Sequence, residues 1–120
     1  MTGERGLDWI CMQERSRMQI ETIQELVKKE KIAWSKHFSK RLREREFTEE
    51  DVVCCIMHGE IIEDYPYAYP YPACLIYGLT IREKVFHVVV GTNEDCVYMI
   101  TGYFPNLEKF ETDLKTRRVE

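Results

Sequence analysis

At 120 residues and 14.4 kDa, with 44% apolar residues, the chain is sized for one domain that closes a single core without metal or disulfide staples. Its net charge of −4 argues against a surface that attracts polyanions everywhere, so any nucleic-acid site has to be local. No run approaches the roughly 18 consecutive apolar residues of a membrane span, and Met1-Thr2-Gly3-Glu4-Arg5-Gly6 lacks the apolar region of a signal peptide, so the expectation is a cytoplasmic protein with no membrane partner.

In chain order, residues 1–6 read as a loose tail. The segment from Leu7 to Lys31 reads as helical, in one piece or two, because it is rich in Gln, Glu, Lys, Leu and Met and holds no Pro or Gly. Ile20, Ile23, Leu26 and Val27 give it an apolar stripe. Ile32-Ala33-Trp34 is a short apolar link, and Ser35 stands where a cap would open a second helix reaching about Glu44. Thr48-Glu49-Glu50-Asp51 is a stronger start signal, a capping threonine with acids in the first turn and one that can reach back. The third helix then runs from Glu49 to about His58, and Gly59 fits its stop.

From Glu60 the pattern turns to strands. Ile61-Ile62 opens one, which breaks at Tyr65-Pro66-Tyr67-Ala68-Tyr69-Pro70-Tyr71-Pro72, a segment whose prolines suit an extended loop and not a central ladder. Ala73 to Thr80, Val85 to Gly91 and Cys96 to Tyr103 read as three antiparallel strands joined by short polar connections. Residues 104–120 form a charged C-terminal segment with Leu107, Phe110 and Leu114 as anchors. Helices first and a meander after predict an α+β fold, with the N-terminal helices packed on one face of a small antiparallel sheet.

Cys11, Cys54, Cys55, Cys74 and Cys96 show no Cys-x-x-Cys spacing and sit mostly in apolar runs, so they are expected to be buried, reduced thiols. With three histidines and no local zinc-ligand spacing, no metal and no cofactor are expected.

Positive charge is densest where Lys36, Lys40, Arg41, Arg43 and Arg45 oppose only Glu44. His37, Arg41 and Arg45 are spaced four apart and on a helix would form one ridge, an imidazole beside two guanidinium forks, which suits a phosphodiester. A solvated basic face would read the same way. His37 would stand in the helix's first turn as a candidate general base, or simply pack its ring on the sheet. His87 interrupts the apolar strand Val85-Phe86-His87-Val88-Val89-Val90 and needs either a partner or an opening, as a second imidazole of a site or as a hydrogen-bonded core residue. His58 is expected to meet helix-end carbonyls. The loop tyrosines could stack on bases or cover the sheet, and Lys115-Thr116-Arg117-Arg118 offers a second small basic patch.

Several stretches together resemble a family of small bacterial proteins designated a domain of unknown function and grouped with RelE-, MqsR- and barnase-like toxins. They are Trp34-Ser35-Lys36-His37 with Arg41 and Arg45, Phe47-Thr48-Glu49-Glu50-Asp51-Val52, Gly59 to Pro66, Cys74-Leu75-Ile76-Tyr77-Gly78, His87-Val88-Val89-Val90-Gly91 and Lys115-Thr116-Arg117-Arg118. The similarity runs from about Ile20 to Arg118. It implies a RelE-like fold and a metal-independent RNA endonuclease acting by 2′-hydroxyl attack as the toxin of a toxin–antitoxin pair. Its partners would be RNA, free or ribosome-bound, and a cognate antitoxin. On that resemblance His37 and His87 would carry the proton transfers and Arg41 and Arg45 the phosphate. Lys36, Lys40, Arg43, Tyr77, Lys115, Arg117 and Arg118 would be further RNA contacts. Glu46 stands where relatives generally have a glycine. The alternative is a noncatalytic RNA- or protein-binding module of the same fold, and the two separate on whether His37 and His87 converge on one basic cleft.

Overall fold

In a computed structural model, residues 19–93 and 95–117 are described. The helix expected over 7–31 is seen as α1 (Ile20–Lys28), while residues 7–18 of that expectation, with Cys11, lie outside the described residues. Next come β1 (Ile32–Trp34), α2 (Lys36–Arg43), α3 (Glu49–Met57), β2 (Glu60–Tyr65), β3 (Ala73–Leu79), β4 (Val85–Thr92) and β5 (Val97–Tyr103). The strands lie in the order β1-β5-β4-β3-β2, with both edges open among the described residues. The fold class is α+β as expected. The sheet, however, is mixed and not purely antiparallel, because the apolar link Ile32-Ala33-Trp34 is itself a strand that pairs parallel with β5, Ile32 against Val97 and Trp34 against Met99.

The helix ends follow from local chemistry. Ser35 Oγ accepts from the Phe38 N–H at 3.0 Å and donates to the Ile100 carbonyl at 2.8 Å, so one hydroxyl caps α2 and ties it to β5. Thr48 and Asp51 form the reciprocal capping box at the start of α3, each backbone N–H meeting the other's side chain at 3.1 Å. Both α1 and α2 end on a left-handed residue that is not glycine, Glu30 (φ 58°) and Arg45 (φ 60°). In each, the N–H of that residue and the N–H after it fold back on the last turn. Arg45 N–H donates to Leu42 O and Glu46 N–H to Arg41 O, at 3.1 and 3.4 Å.

Strand alternation sends Cys74 and Ile76, Phe86, Val88 and Val90, and Val97 and Met99 to one sheet face. There they meet Ile23, Leu26 and Val27 of α1, Phe38 of α2 and Val52, Cys55 and Ile56 of α3 in one buried cluster. Burying Phe38 alone contributes about 2–3 kcal/mol, and its ring meets Trp34 and Phe47 edge-on at 5.1 and 5.5 Å. The opposite face carries Leu75, Tyr77, His87 and Tyr103. The C-terminal segment crosses it, anchored by the buried Phe110 and a bridge from Phe110 to Arg117. The described cysteines are free thiols as expected, but the burial expected of them holds only for Cys55 and Cys74, while Cys54 and Cys96 are half-buried. Cys54, Cys55, Cys74 and Cys96 are free, and burial pushes the Cys55 and Cys74 thiols up to about 12, which keeps them protonated and unreactive.

Candidate nucleic-acid interface

The basic cluster is the outer face of α2 and the turn after it. Phe38 points into the core, and the face of α2 turned away from it is left for solvent. Lys36, His37, Lys40, Arg43 and Arg45 are exposed, and none of the four cations forms an ion pair among the described residues.

Arg41 behaves differently. Its Nε donates to Glu46 Oε2 at 2.7 Å, a terminal nitrogen donates to the Gly102 carbonyl, and its guanidinium carbon lies 5.4 Å from the Phe47 ring centre. One edge of the fork expected for phosphate is therefore already occupied, and Arg41 joins α2, the following turn and β5. The hydrogen bond from Arg41 holds the Glu46 carboxyl below the usual range, helped by the Arg41 and His37 charges. Glu46 thus belongs with His37 and Arg41. Sequence spacing hid this, since five residues is not a helical neighbour distance and the pair closes only because the chain turns left-handed at Arg45.

That turn also corrects the expected ridge. Arg45 lies beyond the end of α2 in the left-handed region, so it does not continue the His37–Arg41 row. The left-handed position falls on Arg45 and not on Glu46, where a glycine was noted in relatives.

His87 and His37 do not share a cleft. His87 is fully buried on the sheet face opposite the helices, among Tyr77, Tyr103 and Phe110. Its Nε2 lies 2.7 Å from the Leu114 carbonyl, which assigns the proton to Nε2, and Nδ1 then accepts from the Tyr103 hydroxyl at 3.4 Å. Burial lowers its pKa, opposed by the Leu114 carbonyl and Glu63, with Arg117 adding to the lowering. The unfolded chain therefore binds a proton near pH 6.5 that the folded chain resists. Stability from this group is present above about pH 6.5 and is lost on acidification toward the lower folded value. Denaturation measured from about pH 7.5 to 5 should show this loss, with a slope of at most about 1.4 kcal/mol per pH unit from one proton. His87→Gln should flatten it, and an unchanged slope in that variant would exclude His87 as the source.

The C-terminal patch is paired. Lys115 Nζ is 2.9 Å from Glu60 and 4.6 Å from the Tyr77 ring centre. Arg117 Nε donates to Glu63 at 2.8 Å, with its guanidinium 4.9 Å from the Phe110 ring. The Tyr65 hydroxyl donates to the other oxygen of Glu63, and burial together with that bond pushes Tyr65 up to about 12. Arg118 lies outside the described residues. The pairing of Glu60 with Lys115 and of Glu63 with Arg117 was not legible from sequence, because each pair spans more than 50 residues. His58 Nδ1 lies 3.3 Å from the Cys54 carbonyl, as its place at a helix end suggests. Among the described residues no three His, Cys, Asp or Glu side chains gather to hold a metal ion, and no helix is long and apolar enough to cross a membrane.

Residues 34–104 match the model of a family described as Domain of unknown function (DUF4258). The match covers α2, α3 and β2 to β5, and so includes the α2 surface and His87 but not Lys115 or Arg117. Neither a curated protein nor a solved structure matches the chain.

Proposed function

The chain belongs to the DUF4258 family, and from that premise we propose that it binds RNA along the phosphate backbone through the outer face of α2. The observation that carries this reading is the set of four exposed cations, Lys36, Lys40, Arg43 and Arg45, none in an ion pair among the described residues of an acidic protein, whereas Lys115 and Arg117 are matched to carboxylates. Charges held off carboxylates and presented from one short helix and the turn after it supply a local positive field where the whole chain has none. The burial of His87 behind the sheet favours a binding module over a site built on two imidazoles.

A second reading, the metal-independent endonuclease of a RelE-like toxin, is favoured by His37, Arg41 and Glu46 lying together on one surface. There a base removes the proton of a 2′-hydroxyl, and the oxygen attacks the adjacent phosphorus. The bond to the 5′-oxygen breaks, and that oxygen takes a proton from the acid, leaving a 2′,3′-cyclic phosphate and a 5′-hydroxyl. His37 and Glu46 would share the proton transfers, and Arg41 would face the phosphate. An antitoxin would find the outer edge of β2 open for strand addition.

The test is to incubate the protein and His37→Ala with mixed-sequence single-stranded RNA in excess EDTA and map the ends. Retention of intact RNA by both proteins supports the binding module. Cyclic-phosphate ends that vanish in His37→Ala would replace it with the nuclease.

A further inference from the structure

Of the cations on α2 and the turn after it, Arg41 is the one held by a carboxylate among the described residues, and that carboxylate comes from a fixed place. The left-handed turn at Arg45 brings the Glu46 N–H back to the Arg41 carbonyl at 3.4 Å, and the buried Phe47 anchors the next residue. From that backbone the Glu46 side chain sets Oε2 2.7 Å from Arg41 Nε. The guanidinium is constrained in turn by its bond to the Gly102 carbonyl and by the Phe47 ring. An exposed ion pair usually contributes little, because two long side chains must be ordered to make it. Here the turn and the Gly102 bond already order much of both. The bond from Arg41 holds the Glu46 carboxyl low, so it is ionised at neutral pH and a competing anion is what can take its place.

We propose that Glu46 is an internal stand-in for an RNA phosphate, a carboxylate that keeps Arg41 out of the α2 interface. This rests on the α2 reading above and adds a control to it. A guanidinium N–H meets a carboxylate oxygen or a phosphate oxygen in the same way, so the two anions compete for one donor. Arg41 belongs to the basic surface by position. Lys40 precedes it, His37 is one helical turn back, and Arg45 stands in the turn that carries Glu46. The Arg41 side chain is 22% exposed and that of Glu46 45%, so the carboxylate forms the outer layer and the guanidinium the inner one. Removing the carboxylate uncovers a fifth cation and deletes a charge that repels the strand.

The experiment follows the fluorescence anisotropy of a mixed-sequence single strand of 2′-O-methyl RNA, which cannot be cleaved by 2′-hydroxyl attack, over a range of salt. The proteins are wild type, Glu46→Ala, Glu44→Ala, Arg41→Gln and Arg41→Gln/Glu46→Ala. Glu46→Ala should tighten binding about three- to tenfold and steepen the slope of log affinity against log salt by about 0.7, the share of one further phosphate on a single strand. Glu44, also exposed, forms no ion pair among the described residues, so Glu44→Ala removes the same charge without releasing a cation and should keep the wild-type slope. In the Arg41→Gln background the gain from Glu46→Ala should vanish. Equal slopes for Glu46→Ala and Glu44→Ala, or a gain that persists without Arg41, overturns the stand-in and leaves the α2 reading in place as long as wild type binds. The slope comparison decides alone should Arg41→Gln fail to fold. A strand that neither wild type nor Glu46→Ala binds overturns both.

Discussion

Gly78→Ala should cost about 3 kcal/mol or more. Gly78 lies on β3 opposite Phe86, on the sheet face that receives the helices. A Cβ there would stand 2.2 Å from the Cys55 carbonyl oxygen and 2.8 Å from its Sγ. The carbonyl is helix backbone and cannot rotate aside, so α3 would have to lift by on the order of 1 Å, opening the contacts of Val52 and Ile56 along its length. It would also stretch the 3.3 Å bond from Cys55 Sγ to the Phe86 carbonyl. Because domains of this size are stable by only about 5–15 kcal/mol, the midpoint of urea denaturation should fall visibly. Gly91→Ala is the control. Its nearest neighbours are the Pro72 carbonyl at 3.3 Å and the flexible tip of Ile100 at 3.5 Å. A change under about 1 kcal/mol is expected there, partly offset by the lower entropy of the unfolded chain. Equal midpoints for both variants would mean that α3 does not press on β3 at Cys55.

What the sequence disclosed and what it hid divide by the range of the interactions. The capping box of α3 and the serine cap of α2 are legible because both partners lie within three residues. The meander from Ala73 to Tyr103 is legible because its strands alternate and its turns are short. β1 escaped notice because three apolar residues carry no period, and its partner in β5 is 65 positions on, in a parallel pairing no local rule signals. The His37–Arg41–Arg45 row failed at its last member because a non-glycine left-handed residue ends the helix first. His87 was legible as a polar residue in an apolar strand that needed a partner. That the partner would be the Leu114 carbonyl was not, since it comes from a segment that reads as a charged tail.

Replacing Lys36, Lys40, Arg43 and Arg45 together by alanine should all but remove RNA binding and its salt dependence. All four are exposed, alanine suits the helix surface at Lys36, Lys40 and Arg43, and at Arg45 it keeps the same backbone demand as the arginine it replaces, so the fold should persist. Each phosphate neutralised on a single strand contributes about 0.7 to the slope of log affinity against log salt, so four contacts give a slope of about −3. A fourfold rise in salt then weakens wild-type binding about 50-fold and leaves the variant nearly unaffected. Lys115→Ala/Arg117→Ala should leave the slope unchanged, because Glu60 and Glu63 already neutralise those side chains. Arg41→Ala separates structure from recognition. It removes the ties to Glu46 and the Gly102 carbonyl and so should lower stability, whereas Arg45→Ala should lower affinity at unchanged stability. A wild-type slope that survives the fourfold substitution would mean the charges of α2 do not meet phosphate, and the proposed interface would have to be given up.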